Sequence, residues 1–282
     1  MSEIRINCPD AIHVPRTGKS DYKRKLYINT QKGFGHCFRC GFKTRNAAEL
    51  IERFDLSIEI DFQDQVDTPT VQLHLPTEYR TDFWSTHGTI ALQYLKSRDI
   101  PEAVILDYSL GFCTEGRYAG RIIIPFFRNG DLVYFQARDY TNSCKLKYDS
   151  PSKSEGAVPN VLFNLDRAAK TGVVLLVEGP LDALRIPKYG VAVVGCTWND
   201  AKQRALLSCR PRAVFLALDN DDAGRDATAR IKYCLSGLIP QVVTISYEGK
   251  DPGSVSAAEM GHFNILCDAA QRFSKVGTSH VL

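Results

Sequence analysis

The chain has 282 residues, 44% of them hydrophobic and 24% charged, and its 35 Lys+Arg against 32 Asp+Glu leave a formal charge of +3. That composition excludes a disordered, collagen-like or coiled-coil chain, and the length suggests about two domains, each with a real core. No apolar run approaches the ~20 residues of a membrane span, so no membrane partner is expected. The start, Met-Ser-Glu-Ile-Arg-Ile-Asn, has no apolar signal core, which points to a cytoplasmic protein. Nine scattered cysteines are then expected to be thiols or metal ligands, not a disulfide framework.

The elements follow in chain order. Residues 25–38 predict a β-hairpin, with Tyr27 and Ile28 as strand formers and Lys32-Gly33 in the turn. Ala47 to Phe54 predicts a short helix. Six acids against one base in residues 52–67, followed by Thr68-Pro69-Thr70, predict an acidic linker over 51–80. Thr86 to Ser97 predicts a helix with Ile90, Tyr94 and Leu95 near one face. Arg121 to Phe127 is an apolar strand, Asn129-Gly130-Asp131 a turn, and Leu132 to Ala137 the returning strand. After residue 170 the pattern changes. Val173 to Val177 is a continuous aliphatic run of the kind buried on both faces of a parallel sheet. A helix over Leu181–Lys188, strands over Val191–Val194 and Ala213–Leu218, a helix over Asp222–Leu235 and a strand over Gln241–Ser246 continue the alternation. The fold class expected is α/β in this half and α+β overall. The last thirty or so residues read as helical or loose.

The near-neutral total hides a segregation of charge. Residues 1–45 hold ten basic and three acidic side chains, a local +7. Residues 117–153 hold seven basic and three acidic ones, a local +4. Two basic stretches around an acidic linker suit a polyanionic partner, although any one charge run is equally a solvated surface.

Two constellations carry chemistry. The first is Cys8, His13, Cys37 and Cys40. Cys37-Phe-Arg-Cys40-Gly41 is a CxxC knuckle, and tetrahedral Zn²⁺ wants two such close pairs of thiolate or imidazole ligands. Cys8 and His13 form the second pair, with His36 the alternative fourth ligand. One structural zinc ion per chain is expected, because so small a module cannot bury enough core by itself. The second constellation is Glu178-Gly-Pro-Leu-Asp182 and Asp219-Asn-Asp221-Asp-Ala-Gly-Arg225, each directly after an apolar strand. Residues past the strand ends of a parallel sheet gather in one crevice. Carboxylates crowded there repel one another unless a hard cation, Mg²⁺ or Mn²⁺, joins them. Asp222 is equally a helix N-cap. Trp84 and Trp198 are expected to be core or packing residues and not base platforms, and the six other cysteines to be packing residues.

Glu178-Gly179 with Asp219-x-Asp221 resembles the Toprim domain shared by topoisomerases and bacterial-type primases. Asp219 to Arg225 is similar to the primase version. The stretch Leu110-Gly-Phe112, Arg121-Ile-Ile-Ile-Pro125-Phe126, Gly130, Arg138, Lys147-Tyr-Asp-Ser-Pro151 and Leu162-Phe163 resembles the basic subdomain before Toprim in these primases. Leu26-Tyr-Ile-Asn with His36-Cys-Phe-Arg-Cys-Gly41 resembles their N-terminal zinc module. The likeness runs over roughly 5–255 in the family's order. It implies a zinc-ribbon-like module over 1–50, the linker, a basic subdomain over 81–168, a Toprim subdomain over 169–255 and a tail over 256–282.

The resemblance also implies a function: DNA-templated synthesis of short RNA primers on single-stranded DNA from ribonucleoside triphosphates, a nucleotidyltransferase of DNA replication. Glu178, Asp219 and Asp221 would be catalytic and would hold the metal with Asp182. Arg121, Arg138 and Lys147 would hold nucleotide or template phosphates, and Arg39, Lys43 and Phe38 would read template bases. The chain ends soon after the Toprim-like sheet, as in compact phage or plasmid primases, with a replicative helicase expected on another chain. Three departures stand out. Cys8 and His13 have four residues between them where the family usually has two. Val158 and Pro159 stand where a lysine usually precedes the Leu-Phe motif. Gly253, in Lys250-Asp-Pro-Gly253, replaces a second acid. Two alternatives share some of these residues: a Toprim-type metal-dependent nuclease, and a non-catalytic zinc-containing protein that binds single-stranded DNA.

Overall fold

A computed structural model describes residues 3–21, 23, 25–29, 34–37, 39–44, 71–158, 160–195 and 197–276. The chain divides into two units, Met1–Gln63 and Asp64–Leu282. The helix expected over Ala47–Phe54 and most of the acidic linker lie outside the described residues.

The first unit is a four-stranded antiparallel sheet in sequence order, built from β1 (Glu3–Ile6), β2 (Leu26–Asn29), β3 (Phe34–Cys37) and β4 (Lys43–Thr44). Helix α1 (Asp10–Thr17) connects β1 to β2. The expected hairpin is β2–β3, with Leu26 opposite Cys37 and Asn29 opposite Phe34. Its described core consists of Cys8, Leu26, Ile28 and Cys37, with Ile12, Cys40 and Phe42 packed on it. Two of the four core residues are thus cysteines, too little apolar area to hold a fold without a cross-link.

The second unit joins two sheets. The antiparallel one runs β5 (Gly111–Cys113), β6 (Arg121–Arg128), β7 (Asp131–Asp139) and β8 (Tyr148–Asp149) in sequence order. Two helices, α2 (Thr89–Ser97) and α3 (Glu102–Asp107), precede it. The end of the segment expected as linker belongs to this unit: Leu73 is buried, and Arg80 exchanges backbone hydrogen bonds with Phe112. Trp84 is 51% exposed and packs edge-on against Phe83 from outside the core. The core site beside it is taken by Phe83, which stacks on Phe112. Trp198 is buried as expected.

The parallel sheet has the order β10-β9-β11-β12, with β9 Val173–Val177, β10 Gly190–Ala192, β11 Ala213–Leu216 and β12 Gln241–Thr244. Its helices are α4 (Leu165–Ala169), α5 (Pro180–Arg185), α6 (Asp200–Ser208), α7 (Asp222–Leu235) and α8 (Ala257–Val276). The unbroken aliphatic run of β9 has a physical cause, since successive side chains point to opposite faces and both faces are covered. Val173, Leu175 and Val177 enter a core shared with Ile122, Ile124 and Phe126 of β6 and with Met260, Phe263 and Cys267 of α8. Val174 and Leu176 enter a second core with Leu206 of α6 and Ile231 and Leu235 of α7. The first core spans both sheets, so β6 and β7 are packed as one body with the ends of β9 and β11. The tail expected as helical or loose contains the 20-residue α8.

Candidate functional site

In the first unit, ligand atoms of Cys8, His13, Cys37 and Cys40 all lie within 4.8 Å of one another, with three of the four residues buried. The Cys8 and Cys40 sulfurs are 3.8 Å apart, and Cys37 Sγ lies 3.5 Å from His13 Nδ1. A tetrahedron with metal–sulfur bonds of about 2.3 Å and metal–nitrogen bonds of about 2.0 Å has edges near 3.8 and 3.5 Å. The donor set therefore fits a soft cation held through Nδ1 of His13. His36 faces Tyr27 across the β2–β3 ladder and is outside the cluster. The knuckle folds round the site by Cys37 N–H donating to Phe42 O and Gly41 N–H to Cys37 O. Asp21, buried beside it, accepts from the backbone N–H groups of Cys8, Lys23 and Lys25. Burial would raise its carboxyl, but these three donors hold it below the usual range. Asp21 thereby fixes the backbone of a cluster residue, Cys8. Arg39 and Lys43 are exposed on this unit, and Phe38 lies outside the described residues.

In the second unit, Glu178 follows β9 and Asp219 follows β11, and both line a crevice of about 310 Å³ together with Asp182 and Asp251. Parallel pairing places these strand ends side by side, with Leu176 opposite Leu216. Burial pushes the Asp219 carboxyl up to about 7, helped by Glu178, Asp182, Asp251 and Asp221. Burial and Asp251 likewise push Asp182 up to about 6, against the pull of Arg98, the Gly179 N–H and Arg185. Oδ1 of Asp219 and Oδ1 of Asp251 are buried and have no hydrogen-bond partner. Crowded, unsatisfied carboxylates of this kind fit a divalent hard cation. Unlike the thiolate cluster, they do not draw three ligand atoms within 4.8 Å of one another among the described residues. The crevice is open, with room for substrate oxygens and water.

The cationic wall comes from the antiparallel sheet. Arg138 of β7 and Lys147, next to β8, line the crevice with Gln136 and Tyr148. The Arg138 guanidinium lies 4.8 Å from the Tyr148 ring centroid, and its Nε is buried without a partner. Arg121, expected to hold phosphates, is not among the lining residues. It is buried, and its guanidinium donates to the carbonyls of Ala137 (3.2 Å) and Leu146 (2.7 Å). It braces the loop that carries Lys147. Arg117 is likewise spent within the protein, on ion pairs with Asp149 and Glu155.

Asp221 is outside the lining as well. Its Oδ1 accepts from Gly224 N–H at 2.8 Å and caps α7, the role expected of Asp222. Asp222 instead projects into solvent and pairs with Arg225. Capping belongs to Asp221 because its extended backbone, φ −92° and ψ 177°, is that of an N-cap residue, and Asp222 is already the first helical residue. Gly224 is required by close approach: a Cβ there would collide with the Asp219 carbonyl oxygen.

Sequence reasoning missed Arg98. It follows α2 and reaches the crevice only through tertiary packing. A Cβ on Gly253 would strike Asp182 Oδ1 and lie 2.7 Å from the Arg98 guanidinium. Where the second acid was looked for, an arginine therefore approaches Asp182. The loop holding Asp251 is tied down twice. Asn220 N–H donates to Lys250 O, and Arg185 donates to Pro252 O and Val255 O.

A family model described as Toprim-like matches residues 175–256, which contain all four crevice carboxylates. The DNA primase of Deinococcus radiodurans is 22% identical over 293 residues, 82% of this chain and 51% of that protein. Residues 175–256 are thus similar to Toprim-like domains, and most of the chain is similar to curated DNA primases. The chain spans about half the length of the curated relatives it matches first. The zinc-binding and RNA polymerase domains of the Aquifex aeolicus primase share its fold, with a TM-score of 0.57 at 21% identity over 95% of this chain and 79% of that one. The DnaG primase catalytic domain bound to ssDNA matches with a TM-score of 0.58 at 20% identity, over 70% of this chain and 78% of that one. No helix among the described residues is long and apolar enough to cross a membrane.

Proposed function

We propose that the chain is a DNA primase: a nucleotidyltransferase that copies single-stranded DNA into short RNA primers in the cytoplasm during DNA replication. The observation that carries this reading is one crevice with unsatisfied carboxylates on one wall and the cations Arg138 and Lys147 on the other. A nucleoside triphosphate matches both walls.

Glu178 and Asp219, supported by Asp182 and Asp251, would hold Mg²⁺ or Mn²⁺. When bound, that ion supplies charge neutralisation on the triphosphate and a lowered 3′-hydroxyl pKa. The protein's own side chains do the rest. Arg138, stacked on Tyr148, and Lys147 orient phosphate oxygens by charge-assisted hydrogen bonds. Arg121 keeps Lys147 in place from behind. Asp221 acts at one remove, holding the start of α7 and with it the backbone at Asp219. In the first unit, Cys8, His13, Cys37 and Cys40 would hold one structural Zn²⁺. The exposed Arg39 and Lys43 would meet template phosphates, which makes template binding steeply salt-dependent. A replicative helicase would come from another chain.

The test is primer synthesis on single-stranded DNA with labelled ribonucleotides and Mg²⁺. Labelled oligomers that disappear with Asp219→Ala are expected. Degradation of the DNA without synthesis would establish a Toprim nuclease instead, and binding without either activity would establish a non-catalytic protein.

A further inference from the structure

Asp219 lies just past β11, and Asp251 lies in the loop that follows β12. Oδ1 of each is buried with no hydrogen-bond donor to orient it, so the backbone that carries each aspartate sets the place of these oxygens. With glycine at 253, Asp251 is also the single contribution of its loop to the crevice lining.

The two backbones are joined by Asn220 and Tyr247, neither of which lines the crevice. Asn220 Nδ2 donates to Tyr247 O at 3.2 Å and to Gly249 O at 2.7 Å, and its backbone N–H donates to Lys250 O at 2.7 Å. In the opposite direction, Tyr247 Oη donates to Leu218 O at 2.6 Å. The gripped residues, Leu218 and Asn220 on one strand end and Lys250 on the other, are the immediate neighbours of the two aspartates. Phe263 of α8, fully buried, meets the Tyr247 ring edge-on at 5.8 Å between centroids. Ser254 closes the bracket, since its N–H and Oγ both donate to Asp251 O, at 3.0 and 2.7 Å.

The same bonds engage the carbonyls of Leu218, Tyr247, Gly249, Lys250 and Asp251. That matters for the choice of cation. Mg²⁺ takes a strict octahedron at about 2.0–2.1 Å, with one or two carboxylates and the rest water or phosphate oxygens. Ca²⁺ collects about six to eight oxygens at about 2.3–2.6 Å in flexible geometry, and backbone carbonyls are among its usual ligands. Around Asp219 and Asp251, each of those five carbonyls carries a hydrogen bond that competes with a cation.

We propose that Asn220 and Tyr247 are positioning residues that make the crevice selective for Mg²⁺ over Ca²⁺. They hold Asp219 and Asp251 in one rigid frame suited to a small ion, and they keep the neighbouring carbonyls from completing the shell of a larger one. The proposal rests on the reading of the crevice as a divalent-cation site for phosphoryl transfer, and it adds the residues that set which cation is held.

The test is calorimetric binding of Mg²⁺ and of Ca²⁺ to the full chain, with no nucleotide or template present. Asn220→Ala should weaken Mg²⁺ binding roughly tenfold, as the loss of an outer-shell partner does, and leave Ca²⁺ binding unchanged or stronger. Tyr247→Phe keeps the ring against Phe263 and removes only the bond to Leu218 O. It should weaken Mg²⁺ binding about threefold, the value of one neutral hydrogen bond, with Ca²⁺ binding again unchanged. Equal losses for both ions would mark a merely structural role and overturn the proposal. A wild-type chain that does not bind Mg²⁺ more tightly than Ca²⁺ would overturn it too. If Asn220→Ala does not fold, an unchanged Mg²⁺-to-Ca²⁺ affinity ratio in Tyr247→Phe is enough to overturn it. An unchanged ratio in a chain whose primer synthesis is lost with Asp219→Ala would sink the bracket and leave the primase reading standing. A ratio that falls as stated, in a chain that makes no primers, would support the bracket and overturn the primase reading.

Discussion

The two metal-type centres solve opposite problems with the same device, side chains from distant segments brought to one point. In the first unit the candidate ligands close completely: Cys8, His13 and Cys37 are buried, and the fourth, Cys40, is half-buried. In the second unit four carboxylates line an open crevice and stop short of a closed shell. A closed set of soft ligands leaves no position for a reactant, so it stabilises structure. An open set of hard ligands, kept apart by their own repulsion, leaves coordination positions for phosphate oxygens and water. The packing around each follows. The thiolate cluster is the core of its unit, whereas the crevice sits at strand ends above a core that stands without it.

That contrast can be broken by depriving each proposed centre of metal in turn. The largest effect is expected at the cluster. A strong chelator, or Cys37→Ser, should unfold the first unit, since structural zinc contributes about 10–16 kcal/mol of folding energy in modules of this size. The second unit should keep its thermal transition. Amide spectra of the full chain would show this, and a first unit that stays folded without metal would overturn the closed-cluster assignment. A smaller effect is expected at Gly224. Glycine to alanine inside a helix ordinarily stabilises by roughly 0.5–1 kcal/mol. Gly224→Ala should instead destabilise by about 1–3 kcal/mol, because its Cβ meets the Asp219 carbonyl oxygen. Denaturant unfolding gives the sign, and primer synthesis should fall with it as Asp219 is displaced.

The smallest effect is in the pH dependence of the crevice. The folded-state carboxyls of Asp219, about 7, and Asp182, about 6, lie above the usual aspartate value. Between about pH 4 and 7 the folded chain therefore binds more protons than the unfolded one, and in EDTA its stability contribution from these groups falls as pH rises. Added Mg²⁺ should raise the melting temperature by a few degrees more at pH 8 than at pH 5, where protons compete for the same oxygens. Equal Mg²⁺ shifts at both pH values would show that these carboxylates do not hold the ion.

The parts whose cause is local were legible in the residues alone. The hydrophobic run of β9 could only be a strand covered on both faces. The CxxC knuckle pointed to two members of the Cys/His cluster, and acids placed directly after two apolar strands located the crevice. The boundaries of α7 were legible because Asp221-Asp222 and the Ile231/Leu235 spacing are written within one helix. Tertiary structure decided whatever depends on which atom a long side chain reaches. Between His13 and His36 it chose by ladder register, which turns His36 toward Tyr27. Of the basic stretch it left Arg138 and Lys147 to the crevice, because Arg121 satisfies buried carbonyls and Arg117 is spent on ion pairs. It brought in Arg98, next to α2, which no motif marks. A motif reports how neighbouring residues share a backbone; a guanidinium or ammonium at the end of a flexible stem is positioned by the carbonyls and carboxylates that packing places around it.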